Sequence, residues 1–473
     1  MDHLNHKLVS GPQKRTQSHL PSDFKNKALY TLEGDRKYTR QFFSMYEHRS
    51  KMLKPRVDRE AHRVWGHNSR EVNGKFIQHK EKILDILSGE LCWVSGTVFI
   101  DMKHKLNILH DVEKGVDDLL PQTPAKYVDG ESDAVVMLED ESGRAILHNP
   151  ELLRTSGLVT GCVVGVLGIE IQAGIFEIME LAYPTPAPQE PRRDPSNTGP
   201  QDSDDWVAFV SGLQVDKETS FDLRMPLLQQ WLCGELGGED DAELSRKVSR
   251  LVIVGNSIAR TEQEVNTDFS SANNFGSKNT SRFSPDSLVL FSDWLSEVLA
   301  SLPVSILPGE SDPCEVCLPQ QPMHRSLFGK NSAFVNTSTL TTLTNPAWIQ
   351  GSDGLRVLVS SGQNIDDMAK YTQAGFTTNT DVLKAMGHTM KWQNIIPTAP
   401  DTLYCYPYEK EDPFTLDETP HLYVVGNQVE SGSEMFEVGQ SKVQLVSVSG
   451  FRDTGDVVLV NFKTLQVKTV KFQ

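Results

Sequence analysis

Histidine is scarce in the second half of this chain. After residue 200 only His324, His388 and His421 occur. Long apolar runs are missing as well. The longest, residues 157–169, is too short to cross a bilayer and is followed directly by Glu170, so no membrane partner is expected. The first 24 residues hold no apolar core, and no secretory leader is expected. Only six cysteines occur in 473 residues, which without a leader points to reduced thiols inside the cell. Cys92, Cys162, Cys233 and Cys405 stand singly in apolar surroundings and read as small core residues. Cys314 and Cys317 have zinc-ligand spacing, but a structural zinc site needs four ligands and no second pair is present. No phosphate-cradling Walker sequence occurs. No cofactor and no metal is expected.

The length suggests two or three domains. Net charge is −17, unevenly spread: residues 1–80 carry 17 basic against 8 acidic side chains, the rest 29 against 55. Phosphate backbones are gripped by cations, so the body of the chain is poorly suited to holding DNA unaided. The basic N-terminal part reads as a solvated helix face, with an acidic or nucleic-acid partner as the alternative.

Residues 1–37 lack periodicity and are expected to be mobile. Over 38–81, Phe42, Phe43, Tyr46, Met52, Leu53 and Val57 recur at helical spacing, with Pro55 expected to kink or divide the helix. Residues 82–183 read as strands at 91–103, 134–139, 144–148, 162–169 and 175–181. A short helix opened by Asn149-Pro150 falls between the third and fourth strands. Five strands in that order are the layout of an OB-fold β-barrel. Single-strand binders of this fold need a basic groove and exposed stacking aromatics. Residues 85–183 have 6 basic against 17 acidic side chains, so protein docking is favoured over nucleic acid. Trp93, Phe99, Tyr127, Phe176 and Tyr183 can largely be absorbed by the core. Six prolines between 184 and 200 make 184–205 a stiff, acidic linker expected to separate the barrel from residues 206–473. There strands alternate with helices. Leu223, Leu227, Leu228, Trp231 and Leu232 share one helical face, and Ser284-Pro285 opens another helix. The polar insert 104–132 and the Asn/Ser-rich stretch 260–283 read as surface loops, the latter with accessible Ser/Thr.

Five apolar runs end at turns where a binuclear metallophosphatase would place ligands: 206–210, 251–254, 304–307, 355–359 and 422–425. The turns are Ser211-Gly212-Leu213, Gly255-Asn256-Ser257, Pro308-Gly309-Glu310 with Asp312, Ser360-Ser361-Gly362, and Gly426-Asn427-Gln428. Imidazoles are absent from all five, and Asn256 stands where the bridging carboxylate belongs. These are degenerate metal-site turns, and no residue is assigned a catalytic role. An active phosphoesterase and a single-strand-binding barrel are kept as the alternatives.

Longer segments carry a family resemblance: MLEDESGR (137–144), GVLGIE (165–170), LVIVGNS (251–257), LPG (307–309) with DP (312–313), LPQQP (318–322), SGQNIDD (361–367), PTAPDTLYCYPY (397–408), DPF (412–414) and the closing 457–472. The chain resembles the second, small regulatory subunits of eukaryotic DNA polymerase delta, of a fungal kind, over about residues 38–473. The resemblance implies a multi-domain α+β fold, the OB barrel joined to an inactivated calcineurin-like phosphoesterase α/β sandwich. It implies a nuclear, non-catalytic scaffold for DNA replication and repair, touching DNA only through its complex. Such a scaffold joins the C-terminal metal-binding domain of the catalytic subunit to a third, clamp-reaching subunit, and is shared with polymerase zeta for translesion synthesis. Cys314 and Cys317 are not part of that pattern. Pro319, Gln320, Gln321, Pro322, Asp401 and Tyr404, in loops beside the degenerate turns, are candidate partner contacts, with packing inside the domain an equal reading.

Overall fold

A helix that buries one residue in four dominates the N-terminal part. The computed structural model describes residue 15 and residues 29–34, 36–66, 71–72, 74–105, 124–130, 134–192, 205–218, 222–260, 283–351 and 353–473. Most of the insert 104–132 and of the loop 260–283 therefore lies outside the described residues. Helix α1 (Phe43–Trp65) buries Met45, Arg49, Leu53, Val57, Ala61 and Trp65, a strict i+4 row. Phe43 and Met52, expected in that row, lie off it and are exposed. The helix also runs unbroken through Pro55. Burial of Leu53 and Val57 on either side holds it together across the missing N–H bond.

After a short hairpin, β1 (Glu71–Val72) and β2 (Lys75–Phe76), come β3 (Gln78–His79), β4 (Leu91–Met102), β5 (Ala134–Glu139) and β6 (Arg144–His148). Helix α2 (Pro150–Ser156), capped by the Asn149 side chain, leads to β7 (Val163–Gln172) and β8 (Ile175–Ala182). The sheet order is β3-β4-β5-β6-β8-β7, and β7 also pairs with β4, so the sheet curls back on itself. It has six strands rather than the expected five, because Gln78 and His79 add in parallel beside Cys92 and Trp93. Gly165 lets α1 lie close: a Cβ there would meet Val57 at 3.2 Å and Trp65 at 3.5 Å. Trp93, Tyr127 and Phe176 are buried, and Phe99 is half-buried beneath Lys105 and Arg144.

The rest is two facing sheets. One, in order β12-β11-β10-β9-β18-β19, joins β9 (Trp206–Val210), β10 (Val248–Val254), β11 (Val304–Leu307), β12 (Leu340–Thr342), β18 (Asp456–Asn461) and β19 (Val467–Lys471). The other, in order β13-β14-β15-β17-β16, joins β13 (Ala347–Gln350), β14 (Arg356–Ser360), β15 (Leu422–Gln428), β16 (Gly432–Val438) and β17 (Ser441–Ser449). Strands β9 to β11 are buried on both faces, and their period-2 alternation sorts side chains between two cores. Val207, Phe209, Val252 and Val254 meet Val357, Val359, Leu422 and Val424 between the sheets. Trp206, Ala208, Val210, Leu251 and Ile253 face helices α3 (Arg224–Cys233), α4 (Glu239–Lys247) and α5 (Pro285–Leu299). On the far side of the second sheet, Trp348, Leu358 and Tyr423 share a core with α6 (Gln363–Ala369), α7 (Asn379–Trp392) and the barrel's Val94, Val164 and Phe176. Two expected core side chains lie elsewhere: Leu223 is exposed and Cys233 half-buried, because α3 turns only Met225, Leu228, Trp231 and Leu232 inward.

Two segments expected to stand apart are bound into this body. Tyr30 is buried against Phe414, and Leu32 N–H donates to Gln321 Oε1 at 2.9 Å, so the end of the expected mobile region is docked. The first part of the expected spacer, residues 184–192, lies along the sandwich as a strap. Ala187 N–H donates to Gln393, Thr419 Oγ1 donates to Ala187 O, and Arg192 pairs with Asp353. Proline removes N–H donors, and the strap is held instead through its carbonyls, the Ala187 N–H and the Arg192 guanidinium.

Arg49 fixes α1 to both units. Its Nε donates to Asp412 Oδ2 at 2.6 Å, and its other nitrogens to Pro397 O at 2.8 Å, Ala399 O at 2.7 Å and Gly161 O at 3.5 Å. Burial works against the guanidinium charge, and Asp412 outweighs it, so Arg49 is held above its ordinary value. Removing one partner would strand the other charge in the core. Arg49→Met is therefore expected to lower the unfolding free energy of the full chain by about 3–5 kcal/mol in urea titrations. Adding Asp412→Asn should recover part of that loss.

Candidate functional site

The five apolar strands carry their C-terminal turns to one place at the sandwich edge, and glycines let them meet. A Cβ on Gly255 (φ 78°) would come within 2.6 Å of Ser361 and 2.9 Å of Gly309. On Gly362 (φ 110°) it would come within 2.2 Å of Gly426 O, and on Gly212 (φ 62°) within 2.8 Å of Gly450. No side chain larger than hydrogen fits these approaches.

Neutral amides and hydroxyls tie the turns together. Asn427 sits in the left-handed region at φ 58°. Its Nδ2 donates to Val254 O at 3.1 Å and Ser361 O at 2.7 Å, and its backbone N–H donates to Ser211 Oγ at 2.8 Å. One residue thus joins four of the strand ends. Ser211 Oγ in turn donates toward Val448 O and Ser449 O. Gly212 N–H donates to Gly255 O at 3.0 Å, while Leu213 is simply core. Asn256, also left-handed at φ 54°, accepts from Ser311 N–H on Oδ1 at 3.0 Å.

Asp312, the buried carboxylate just past the third turn, is committed to backbone. Its Oδ1 accepts from Ser257 N–H at 2.8 Å and Ile258 N–H at 3.0 Å, its Oδ2 from Gly309 N–H at 2.8 Å. Burial pushes it up to about 6, against the pull of those donors. Glu310 is at the surface, and Gln428 Nε2 donates to Asp366 Oδ1 at 3.2 Å and Gly426 O at 3.0 Å. A pair of divalent ions needs several imidazole and carboxylate donors converging. The groups that converge here are mostly amides and hydroxyls spent on neighbouring turns, with Ser257 Oγ and Asn427 Oδ1 buried and without a hydrogen-bond partner. Among the described residues no group of three or more His, Cys, Asp or Glu could hold a metal ion. The three late histidines lie away from the turns. His324 bonds Ser326, His421 bridges Arg356 N–H and Glu190 O, and His388 lies beside Trp392.

The candidate loop contacts turn largely inward. Gln320 Nε2 donates to Gly309 O at 3.1 Å and Glu315 O at 2.8 Å, and its Oε1 accepts from Asn345. Gln321 Nε2 donates to Tyr30 O at 2.8 Å, Pro319 is buried, and Asp401 pairs with Lys105. Pro319, Gln320 and Gln321 are packed inside the domain, while Asp401, Pro322 and Tyr404 keep part of their surface open. Cys314 lies against Gly309 O and the Gln320 amide.

Residues 207–433 match the family of B subunits of DNA polymerases alpha and epsilon, and residues 41–181 match the DNA polymerase delta subunit OB-fold domain. The DNA polymerase delta small subunit of Saccharomyces cerevisiae is 38% identical over 464 residues, covering 92% of this chain and 90% of that one. The chain belongs to the DNA polymerase delta small-subunit family. Other members of the family include the small subunit of Oryza sativa, 33% identical with 82% of this chain and 85% of that one covered. The DNA polymerase delta subunit 2 of Drosophila melanogaster is 31% identical, with 94% and 96% covered. An archaeal phosphodiesterase structure aligns at 7% identity and a TM-score of 0.28 over 56% of this chain and 99% of that chain, too weak a likeness to argue from. The family's OB-fold match begins at residue 41, so it takes in α1 together with the barrel.

Two expectations follow for the turns. Asn427→Gly keeps the backbone conformation but strands two buried carbonyls. Unfolding free energy should fall by about 1–3 kcal/mol, and Asn427→Ala should cost more because φ is positive. For Asp312, a folded value above the unfolded one means the native chain holds a proton the unfolded chain has lost. Its contribution is full below the unfolded value near pH 4 and is lost as pH rises through about 6. The stability difference between wild type and Asp312→Asn should therefore shrink by roughly 2–3 kcal/mol from pH 4 to pH 7, as read from unfolding titrations at each pH.

Proposed function

We propose that this chain is the non-catalytic accessory subunit of DNA polymerase delta, acting as a scaffold in the nucleus. One observation carries the reading. The strand ends where a phosphoesterase would hold its ions are closed upon one another by Asn427, Ser211 and Asp312. The sandwich is in this reading an inactivated phosphoesterase, kept as a rigid body rather than as a catalyst. The acidic barrel, with its aromatics buried or covered by its own cations, supports protein rather than DNA as the partner. Membership of the polymerase delta small-subunit family points to the partners. We infer that the chain bridges the C-terminal metal-binding domain of the catalytic subunit to the third subunit, and that polymerase zeta uses it in the same way. Pro322, Asp401 and Tyr404 are the loop residues retained as partner contacts.

Co-expression tests this. The full chain, tagged and purified with the catalytic and third subunits, should retain both through high-salt washing. Retention of the third subunit should not need the catalytic one. A chain that elutes alone from both would contradict the scaffold reading.

A further inference from the structure

Two segments at one end of the barrel, 82–89 and the β7–β8 turn, carry apolar side chains that the fold leaves uncovered. Leu84 is 74% exposed, Leu87 61% and Ile171 59%. Their backbone is fixed. Ile83 N–H donates to Asp140 Oδ2 at 2.8 Å, and Leu84 N–H to Ser142 Oγ at 3.2 Å, which ties the 82–89 segment to the β5–β6 turn. Gly89 N–H donates to Glu170 O at 3.0 Å, which ties it to the β7–β8 turn. Ile146 N–H donates to Gly174 O at 2.8 Å and joins those two turns to each other. Ile83 is buried and Ile86 packs partly against the core, so Leu84 and Leu87 are held outward on an anchored segment.

The same end is acidic. Its cations are already used: Lys80 pairs with Glu90, Lys82 with Glu141 and Arg144 with Glu139. Glu81, Asp85, Asp140 and Glu170 stand outside those pairs. An exposed apolar group ringed by one sign of charge marks an interaction surface, and the sign selects the partner. A phosphate backbone is repelled here.

We infer that this barrel end docks a polypeptide segment that presents aliphatic or aromatic anchors between lysines and arginines, carried by another subunit of the polymerase complex. The inference rests on the scaffold reading and gives it a surface. Apolar anchors would sit on Leu84, Leu87 and Ile171, with basic flanks over Glu81, Asp85 and Glu170.

The test uses the full chain co-expressed with its polymerase subunits. One variant is Leu84→Ser/Leu87→Ser/Ile171→Ser and the other Glu81→Lys/Asp85→Lys. All five positions are exposed, so thermal unfolding of the variants should match wild type. The serine variant should hold one of the partner subunits about tenfold or more weaker at every salt concentration. The lysine variant should weaken the same subunit mainly at low salt. Undiminished retention of every subunit by both variants overturns the surface while leaving the scaffold reading intact. A change confined to self-association of the chain also overturns it. If wild type retains no polymerase subunit, the scaffold reading and this surface fall together.

Discussion

The Asn427 carboxamide is the interaction on which the rest of the sandwich edge depends. Parallel strands deliver unsatisfied backbone groups to their C-terminal ends, and in a low-dielectric edge each must find a partner. A metallophosphatase would meet part of that need with two cations and their anionic ligands. This chain meets it with a neutral side chain whose two donors reach Val254 O and Ser361 O, and with a buried carboxylate that takes three backbone N–H groups. The closure requires glycine at 212, 255 and 362, because any Cβ there would collide with a neighbouring turn. In the proposed reading, contact between turns takes the place of ions and water.

The same logic holds the two units together. Helix α1 and the strap at 184–192 each run from barrel to sandwich, and a continuous apolar core passes between them. Arg49 is the polar lock of that joint. The proposed scaffold role needs parts that do not move independently, and this joint would supply that rigidity.

Much of this was legible in the sequence. The five apolar runs fall on β9, β10, β11, β14 and β15 to within a few residues, since strands buried on both faces read as unbroken Val/Ile/Leu runs. The missing imidazoles at their ends were equally visible. What could not be read was the role of polar residues facing inward across long sequence separations. Arg49 looked like part of a solvated face, because its partner Asp412 lies 363 positions away. Its one signal was the i+4 row it interrupts between Met45 and Leu53. Tyr30 and the proline strap were missed for the same reason: neither has local periodicity, and both are ordered by surfaces supplied from elsewhere. Gln320 and Gln321 looked available for partners because amides give no hint of which carbonyls they will meet.

The central claim is that amide closure has replaced ion binding at the strand ends. Calorimetric titration of Mn²⁺ into the full chain, followed through its thermal unfolding, tests it most directly. The account predicts no saturable heat and no change in unfolding temperature. Saturation at two ions per chain, with a raised unfolding temperature that Asn427→Gly abolishes, would contradict it.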